Sequence, residues 1–455
     1  KKLHLALIII AFLTILWSLF FISHHLMDES GPLDNIRRHL IEQEELYEQR
    51  LHQAEKGDDD YQTFENDHED YEIPTQPIQR RKRRGNIIID PPMPPQKPKK
   101  DPPLPPIVEQ EIPFHRIAVV VFTYNRGEYL RRSLTNIFDN IPHKRKDHFD
   151  VFVSQDGNDQ GVANVIKTFQ HRLKGSFQKD HNDMEWPKPI IGNRAYYHIS
   201  QHYRFALRKL FDTLQYDHVI ILEEDLQVAT DFFDYFEVLI PVMEEDPSIF
   251  CVSAFNDNGF ADRAVDPTKL YRSDFFPGLG WMLSKRTWDE DQLTTKWPLG
   301  YWDDWLRLPE IRRNRVCIRP EISRSSTFGR QGVSGGQFFD KYLARIKLNT
   351  AAVDWFSFES RKHIHILEKS RYDLDFKQKI RHAKEISINE VKSLPASSST
   401  PLHYKIVYTN NNQFKQYLNQ LNIMSDFKSG VARTSYLNTI TIREKGNYLH
   451  LVPNH

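Results

Sequence analysis

Three short apolar runs, each ending in polar or charged residues, constrain the fold of this chain more than any other feature. They are "RIAVVVFTYNR" (116–126), "FDVFVSQDG" (149–157) and "VIILEEDLQV" (219–228). The first reads as a buried parallel strand, because it shows no alternation between apolar and polar positions. An amphipathic segment follows it, with Leu130, Leu134, Ile137, Phe138 and Ile141 on one helical face. The stretch "YYHISQHYRFALRKLFDTL" predicts a second helix, with Ile199, Tyr203, Ala206, Leu210 and Leu214 in register. Strand, helix, strand, helix is the sequence form of an α/β sheet with right-handed crossovers. In such sheets ligands bind beyond the carboxyl ends of the strands. Arg126, Asp156 and the triplet Glu223, Glu224 and Asp225 sit at three such ends.

Crowding three carboxylates has a cost, since like charges raise one another's pKa and each loses hydration if buried. A divalent cation with oxygen ligands, Mn²⁺ or Mg²⁺, removes that cost and commonly bridges carboxylates to substrate phosphates. The alternative is a solvated acidic turn that caps the next helix. A guanidinium at residue 126 suits a pyrophosphate, and an acid at 156 suits a uracil or ribose donor group. No glycine-rich phosphate loop follows the first strand, which weakens ATPase and dinucleotide readings. Metal-bridged nucleotide-sugar binding fits the strand ends better. Further on, "YWDDW" (301–305) sets two carboxylates among aromatics. One Asp there can serve as a general base toward a sugar hydroxyl; otherwise the motif is a helix start, with Asp as N-cap and tryptophans as core anchors. The glycine-rich "STFGRQGVSGGQFF" (326–339) reads as a loop that closes over a ligand, or as an ordinary surface turn.

Formal net charge is zero over 455 residues, which argues against nucleic acid as a partner. Cys251 and Cys317 are the only cysteines and form no metal-type pair. The N-terminal residues carry two lysines and then an apolar stretch from Leu5 to Ile22, enough to span a hydrocarbon core of roughly 30 Å. The expected layout is a cytoplasmic tail (1–2), a membrane anchor (3–26) and a charged, proline-rich stem (27–112) carrying "RRKRR" at 80–84. A catalytic domain (113–345) and a smaller C-terminal domain (346–455) follow.

Several segments of the head resemble the N-acetylglucosaminyltransferase I family. They are "LEEDLQVATDFFDYF", "CVSAFNDNG", "LYRSDFFPGLGWML", "KWPLGYWDDW", "CIRPEISRSSTFGRQGVSGGQFFDKYLARIKLN" and "DFKSGVARTSYLNTITIREKGNYLHLVP". The resemblance runs in order through most of 113–453. It implies a GT-A type, Rossmann-like nucleotide-sugar fold and a type II Golgi membrane enzyme with a luminal head. It implies inverting transfer of N-acetylglucosamine from UDP-N-acetylglucosamine, with Mn²⁺, to O2 of the α1,3-linked mannose of a high-mannose N-glycan on glycoproteins. Carried over residue by residue, Arg126 contacts the donor phosphates or base, Asp156 holds the uracil with His202 nearby, and Glu224 contacts the ribose. Asp225 is the metal ligand, Asp303 the base, and Ser334 lies in the closing loop. The family also pairs Cys251 with Cys317, as an oxidising lumen would favour. Two departures stand out. Glu224 replaces the family's usual Asp, as it does in the related enzyme acting on O-linked mannose, and Tyr124 and Gly157 hold the places of a second cysteine pair. The alternatives are transfer to O-linked mannose on protein, or a non-catalytic glycan-binding homologue.

Overall fold

The computed structural model describes residues 115–454, apart from 191, 331, 334, 335, 337, 398 and 399. The expected anchor and stem, and Ser334 with them, lie outside the described residues. Among the described residues no helix is long and apolar enough to cross a membrane.

Every residue of the first strand, β1 (Ile117–Thr123), is buried, as expected for a strand covered on both faces. Its alternate residues feed two cores. Ile117, Val119 and Val121 join one cluster, and Ala118, Val120 and Phe122 the other. Helices α1 (Gly127–Asn140), α2 (Gln160–Phe169) and α4 (Phe232–Glu245) cover the first face, whereas α3 (Arg194–Arg208) covers the second. Leu130, Leu134, Ile137 and Phe138 form the buried face of α1, as their spacing predicts.

The main sheet has eight strands. They are β1, β2 (Phe149–Asp156), β3 (Gly175–Lys179), β4 (His218–Glu223), β6 (Ile249–Ser253), β7 (Leu270–Ser273), β8 (Trp281–Ser284) and β9 (Val316–Pro320), in the order β3-β2-β1-β4-β8-β6-β9-β7. The first four run parallel. β8 enters antiparallel to both β4 and β6, and β7 pairs antiparallel with β9, so the sheet is mixed. Two short strands, β5 (Leu226–Val228) and β10 (Ser325–Thr327), pair antiparallel beside it. Cys251 and Cys317 face each other across the parallel β6/β9 pair, Cα atoms 4.6 Å apart, and are disulfide-bonded.

A second sheet, in the order β11-β12-β16-β15, is built from β11 (Lys384–Glu385), β12 (His403–Tyr408), β15 (Ile440–Glu444) and β16 (Asn447–Pro453). Its core includes Ile406, Leu449 and Leu451 and takes in Phe255 and Phe260 from the segment after β6. A small hairpin, β13 (Phe427–Lys428) and β14 (Val431–Ala432), projects from this part.

One helical expectation needs correction. Beyond α3 the chain makes a π turn, Lys209–Thr213, with the Leu214 amide donating to the Lys209 carbonyl five residues back. The wider turn rotates the face, so Leu210 stays buried and Leu214 is 45% exposed.

Candidate active site

From β1 the chain steps outward through β2 to β3, whereas β4 lies on the other side of β1. That reversal opens a crevice beyond the carboxyl ends of β1 and β4, the usual ligand position in an open α/β sheet. The β4 end contributes the triplet. The β1 end contributes donors to it. Glu224 accepts from the Thr123 hydroxyl, from the Tyr124 amide at 3.2 Å and from Arg126 Nε at 2.6 Å. Arg126 also donates through Nη1 to Asp225 Oδ2 at 3.2 Å, and its guanidinium rests on the Tyr129 ring.

Burial raises the pKa of all three acids. Glu223 is pushed up to about 7, first by burial and then by the charge of Asp225. For Glu224 and Asp225 burial again leads, with Arg126 opposing it. Burial works against the Arg126 charge, but Glu224 and Asp225 outweigh it and hold the guanidinium protonated. The donor set is oxygen only, which suits a hard divalent cation. The segment after β10 leaves room for no side chain here. Phe328 donates its amide to the Asp225 carbonyl at 2.9 Å, and a Cβ on Gly329 would fall 2.2 Å from Asp225 Oδ2. The residues therefore fit a metal held by Asp225 under a closely applied backbone.

A third element completes the crevice. The Tyr203 hydroxyl donates to Glu223 Oε1 at 2.6 Å, and its ring is stacked between Phe122 (3.9 Å) and Trp302 (4.2 Å). Trp302 opens α5 (Trp302–Arg307), whose first turn carries Asp303 and Asp304. The N-cap is Tyr301, in the left-handed region at φ 55°, and not an aspartate. Packing of the Trp302 ring thus fixes where Asp303 stands, close enough for its charge to act on both Tyr203 and Glu223. Arg307, one turn on and nearly buried, donates through Nη1 to Asp303 at 2.7 Å and to Asp304 at 2.9 Å. Asp304 also meets Lys428 of the small hairpin at 3.5 Å.

At the end of β2, Asp156 is buried and lies 3.1 Å from His181 Nε2. Burial raises the Asp156 pKa to about 6, against the pull of His181. His202 bonds the Ser154 hydroxyl at 2.8 Å, and burial drives its pKa down to about 3. His198, one turn earlier on α3, approaches Asp156 and His181 instead, and the ligand atoms of these three lie within 4.8 Å of one another.

The structure thus gathers Arg126, Glu224, Asp225 and Asp303 around one crevice, with Asp156 and His202 on β2 and α3. Gly329 lies in the glycine-rich stretch read as a loop over a ligand, whereas sequence reasoning missed the hydroxyl of Tyr203, along with Arg307, His181 and His198. Arg307 alone carried a legible signal, its i,i+4 spacing from Asp303.

Fold and site define an α/β protein with an arginine and a buried acidic cluster gathered at a sheet switch point. The chain belongs to the GNT-I family, which it matches over residues 101–455. An alpha-1,3-mannosyl-glycoprotein 2-beta-N-acetylglucosaminyltransferase of Arabidopsis thaliana is 40% identical over 332 residues, 72% of this chain and 71% of that protein. Two solved structures resemble it distantly. A mannosyltransferase, PcManGT from Pyrobaculum calidifontis in complex with GDP-Man and Mn²⁺, is 16% identical over 45% of this chain and 54% of that one, with a TM-score of 0.31. S. aureus TarS 1-349 in complex with UDP-GlcNAc is 12% identical over 49% and 61%, with a TM-score of 0.33.

Proposed function

We infer that the crevice at the β1/β4 switch point is the donor and transfer site of an inverting N-acetylglucosaminyltransferase. The chain is a glycosyltransferase of N-glycan synthesis, with the activity named for its Arabidopsis relative. The finer reading is a GT-A type head that takes UDP-N-acetylglucosamine and modifies O2 of the α1,3-linked mannose of a high-mannose N-glycan. The observation that carries it is the convergence of Arg126, the triplet and Asp303 on one crevice, although they lie on three separate segments.

In the reaction the mannose hydroxyl oxygen attacks the anomeric carbon as the bond from that carbon to the diphosphate breaks. Asp303 accepts the hydroxyl proton on a carboxylate oxygen, and the electron pair of the broken bond leaves with UDP. Arg307 holds the Asp303 carboxylate from behind and so sets its direction. Arg126 carries a fixed positive charge to the diphosphate end. Asp225 would hold Mn²⁺, which when bound supplies Lewis-acid neutralisation of the departing diphosphate. Glu224, bound to Thr123, Tyr124 and Arg126, fixes the β1 end against β4 and places Arg126. Asp156 holds the donor base, and Ser334 belongs to the loop that covers the donor. The N-terminal apolar stretch anchors the protein in the Golgi membrane with the head in the lumen.

Turnover of UDP-N-acetylglucosamine with Mn²⁺, using an oligomannose N-glycan and an O-mannosyl peptide as rival acceptors, tests this reading. The expected result is transfer to the glycan. Activity on the peptide alone would replace the acceptor assignment, and no turnover on either would mean a glycan-binding homologue.

A further inference from the structure

Asp156 Oδ1, His181 Nε2 and His198 Nδ1 are each shut off from solvent, and none has a hydrogen-bond partner. Three buried polar atoms without a well-formed hydrogen bond on neighbouring side chains are costly, because each has lost water for at most an ion-pair contact. The Asp156–His181 contact of 3.1 Å is an ion-pair distance without hydrogen-bond geometry. It is close to the separation of about 3.4 Å between two ligands of a tetrahedral ion with bonds of about 2.1 Å.

From these atoms we propose that Asp156, His181 and His198 form a second metal site, for a zinc-class transition-metal cation, and that its occupation competes with the donor's base. The competition rests on the reading of Asp156 as the base-binding acid. The metal site does not.

The three ligands come from three elements: the end of β2, the turn after β3 and the first half of α3. Each is held by packing. A Cβ on Gly157 would fall 3.1 Å from the His181 ring, so the backbone presses on that imidazole, and Tyr124 covers it from the β1 side. The His198 ring stands edge to face on Trp186, with centroids 5.4 Å apart. Two imidazoles and one carboxylate, with a fourth position for water, suit Zn²⁺ or Cu²⁺; the oxygen-only set at Asp225 suits Mn²⁺. The two sites therefore select different ions. Lys179, buried nearby with its ammonium on the carbonyls of Asp180 and Asp183, opposes a cation and weakens its binding. A cation drawing on Asp156 Oδ1 takes that oxygen from the donor base, so zinc inhibits in competition with UDP-N-acetylglucosamine.

The test uses the full chain in detergent, stripped of metal with a chelator and titrated with Co²⁺ as a spectroscopic stand-in for Zn²⁺, with and without UDP. One tetrahedral Co²⁺ spectrum is expected, displaced by Zn²⁺ and weakened at least tenfold by UDP. His181→Ala and His198→Ala should each weaken Co²⁺ binding at least tenfold. His198→Ala should retain wild-type Mn²⁺-supported turnover and lose zinc inhibition. A tetrahedral signal that survives both substitutions, or none in the wild type, overturns the metal site. So does zinc inhibition undiminished in the variants, which would place the ion at Asp225. If Asp156→Asn abolishes Co²⁺ binding but leaves UDP affinity unchanged, the metal site stands, and the competition and the base-binding role of Asp156 fall together.

Discussion

The two halves of the main sheet treat buried charge in opposite ways. Around β8, β6, β9 and β7, three buried acids each meet an arginine, although burial still raises the pKa of Asp274 and lowers that of Arg319. Arg272 meets Asp246 at 2.8 Å, Arg324 meets Asp231 at 3.0 Å, and Arg443 of the second sheet meets Glu321 at 3.2 Å. Burial works against the Asp246 charge, but Ser248 and Arg272 still hold its carboxyl below the ordinary range. In the parallel half the balance reverses. The triplet and Asp156 are raised by burial, which their partners fail to offset. The paired charges of the mixed half are neutralised within the fold, whereas the acids at the strand ends keep unmet demand for a cation or a ligand. Substitutions in the parallel half should therefore cost activity before stability, and those in the mixed half the reverse.

The largest effect expected is at Asp225. Asp225→Ala should abolish Mn²⁺-dependent binding of UDP-N-acetylglucosamine in calorimetry while the melting temperature holds or rises. The change removes a metal ligand and also the charge that lifts Glu223. Unchanged donor affinity would break the comparison at its strongest point.

Asp303→Asn should leave donor affinity near wild type and lower turnover by about two to four orders of magnitude, the range for loss of a general base. Asp304 is the control, since it shares Arg307 and is further engaged by Lys428. A dead Asp304→Asn beside an active Asp303→Asn would move the base by one residue.

The parallel half was legible in the sequence because burial on both faces leaves β1, β2 and β4 as continuous apolar runs, and the residue that follows such a run stands at a strand end. That logic found Arg126, Asp156 and the triplet. The mixed half was not legible in this way. β8 is inserted antiparallel between β4 and β6 by pairing across long stretches of chain, and four- or five-residue strands carry little periodicity. Tyr203 was read as a core residue, and its ring is one; nothing in its spacing shows that the hydroxyl at the far end reaches Glu223. His181 lies in a turn with no pattern around it, so only the folded chain brings it to Asp156.

In the mixed half, the Cys251–Cys317 bond closes a sequence separation of 66 residues. Replacing both cysteines by serine should lower unfolding stability by about 4 kcal/mol on the chain-entropy account. Denaturant melts would show it. Turnover per folded molecule should change less than twofold, and a larger loss would mean that this half also tunes the site.

The smallest effect expected concerns His202, which sits in the parallel half but behaves like a structural group: fully buried, bonded to Ser154 and neutral. Its folded pKa of about 3 lies below the ordinary 6.5, so the unfolded chain takes up the proton first as pH falls. Stability from this group is intact above pH 6.5 and lost progressively between 6.5 and 3. Between pH 6.5 and pH 5 the loss is about 2 kcal/mol. His450 in the second sheet, also lowered to about 3 by burial, titrates in the same direction, so a single melting curve cannot separate the two. The difference between wild type and His202→Gln can. The glutamine amide keeps a partner for the Ser154 hydroxyl and does not titrate, so the variant's melting temperature should fall less than that of the wild type between about pH 7.5 and pH 5. Parallel curves would mean that water or a ligand already satisfies the protonated ring, and that His202 belongs with the under-satisfied groups of the site rather than with the frame.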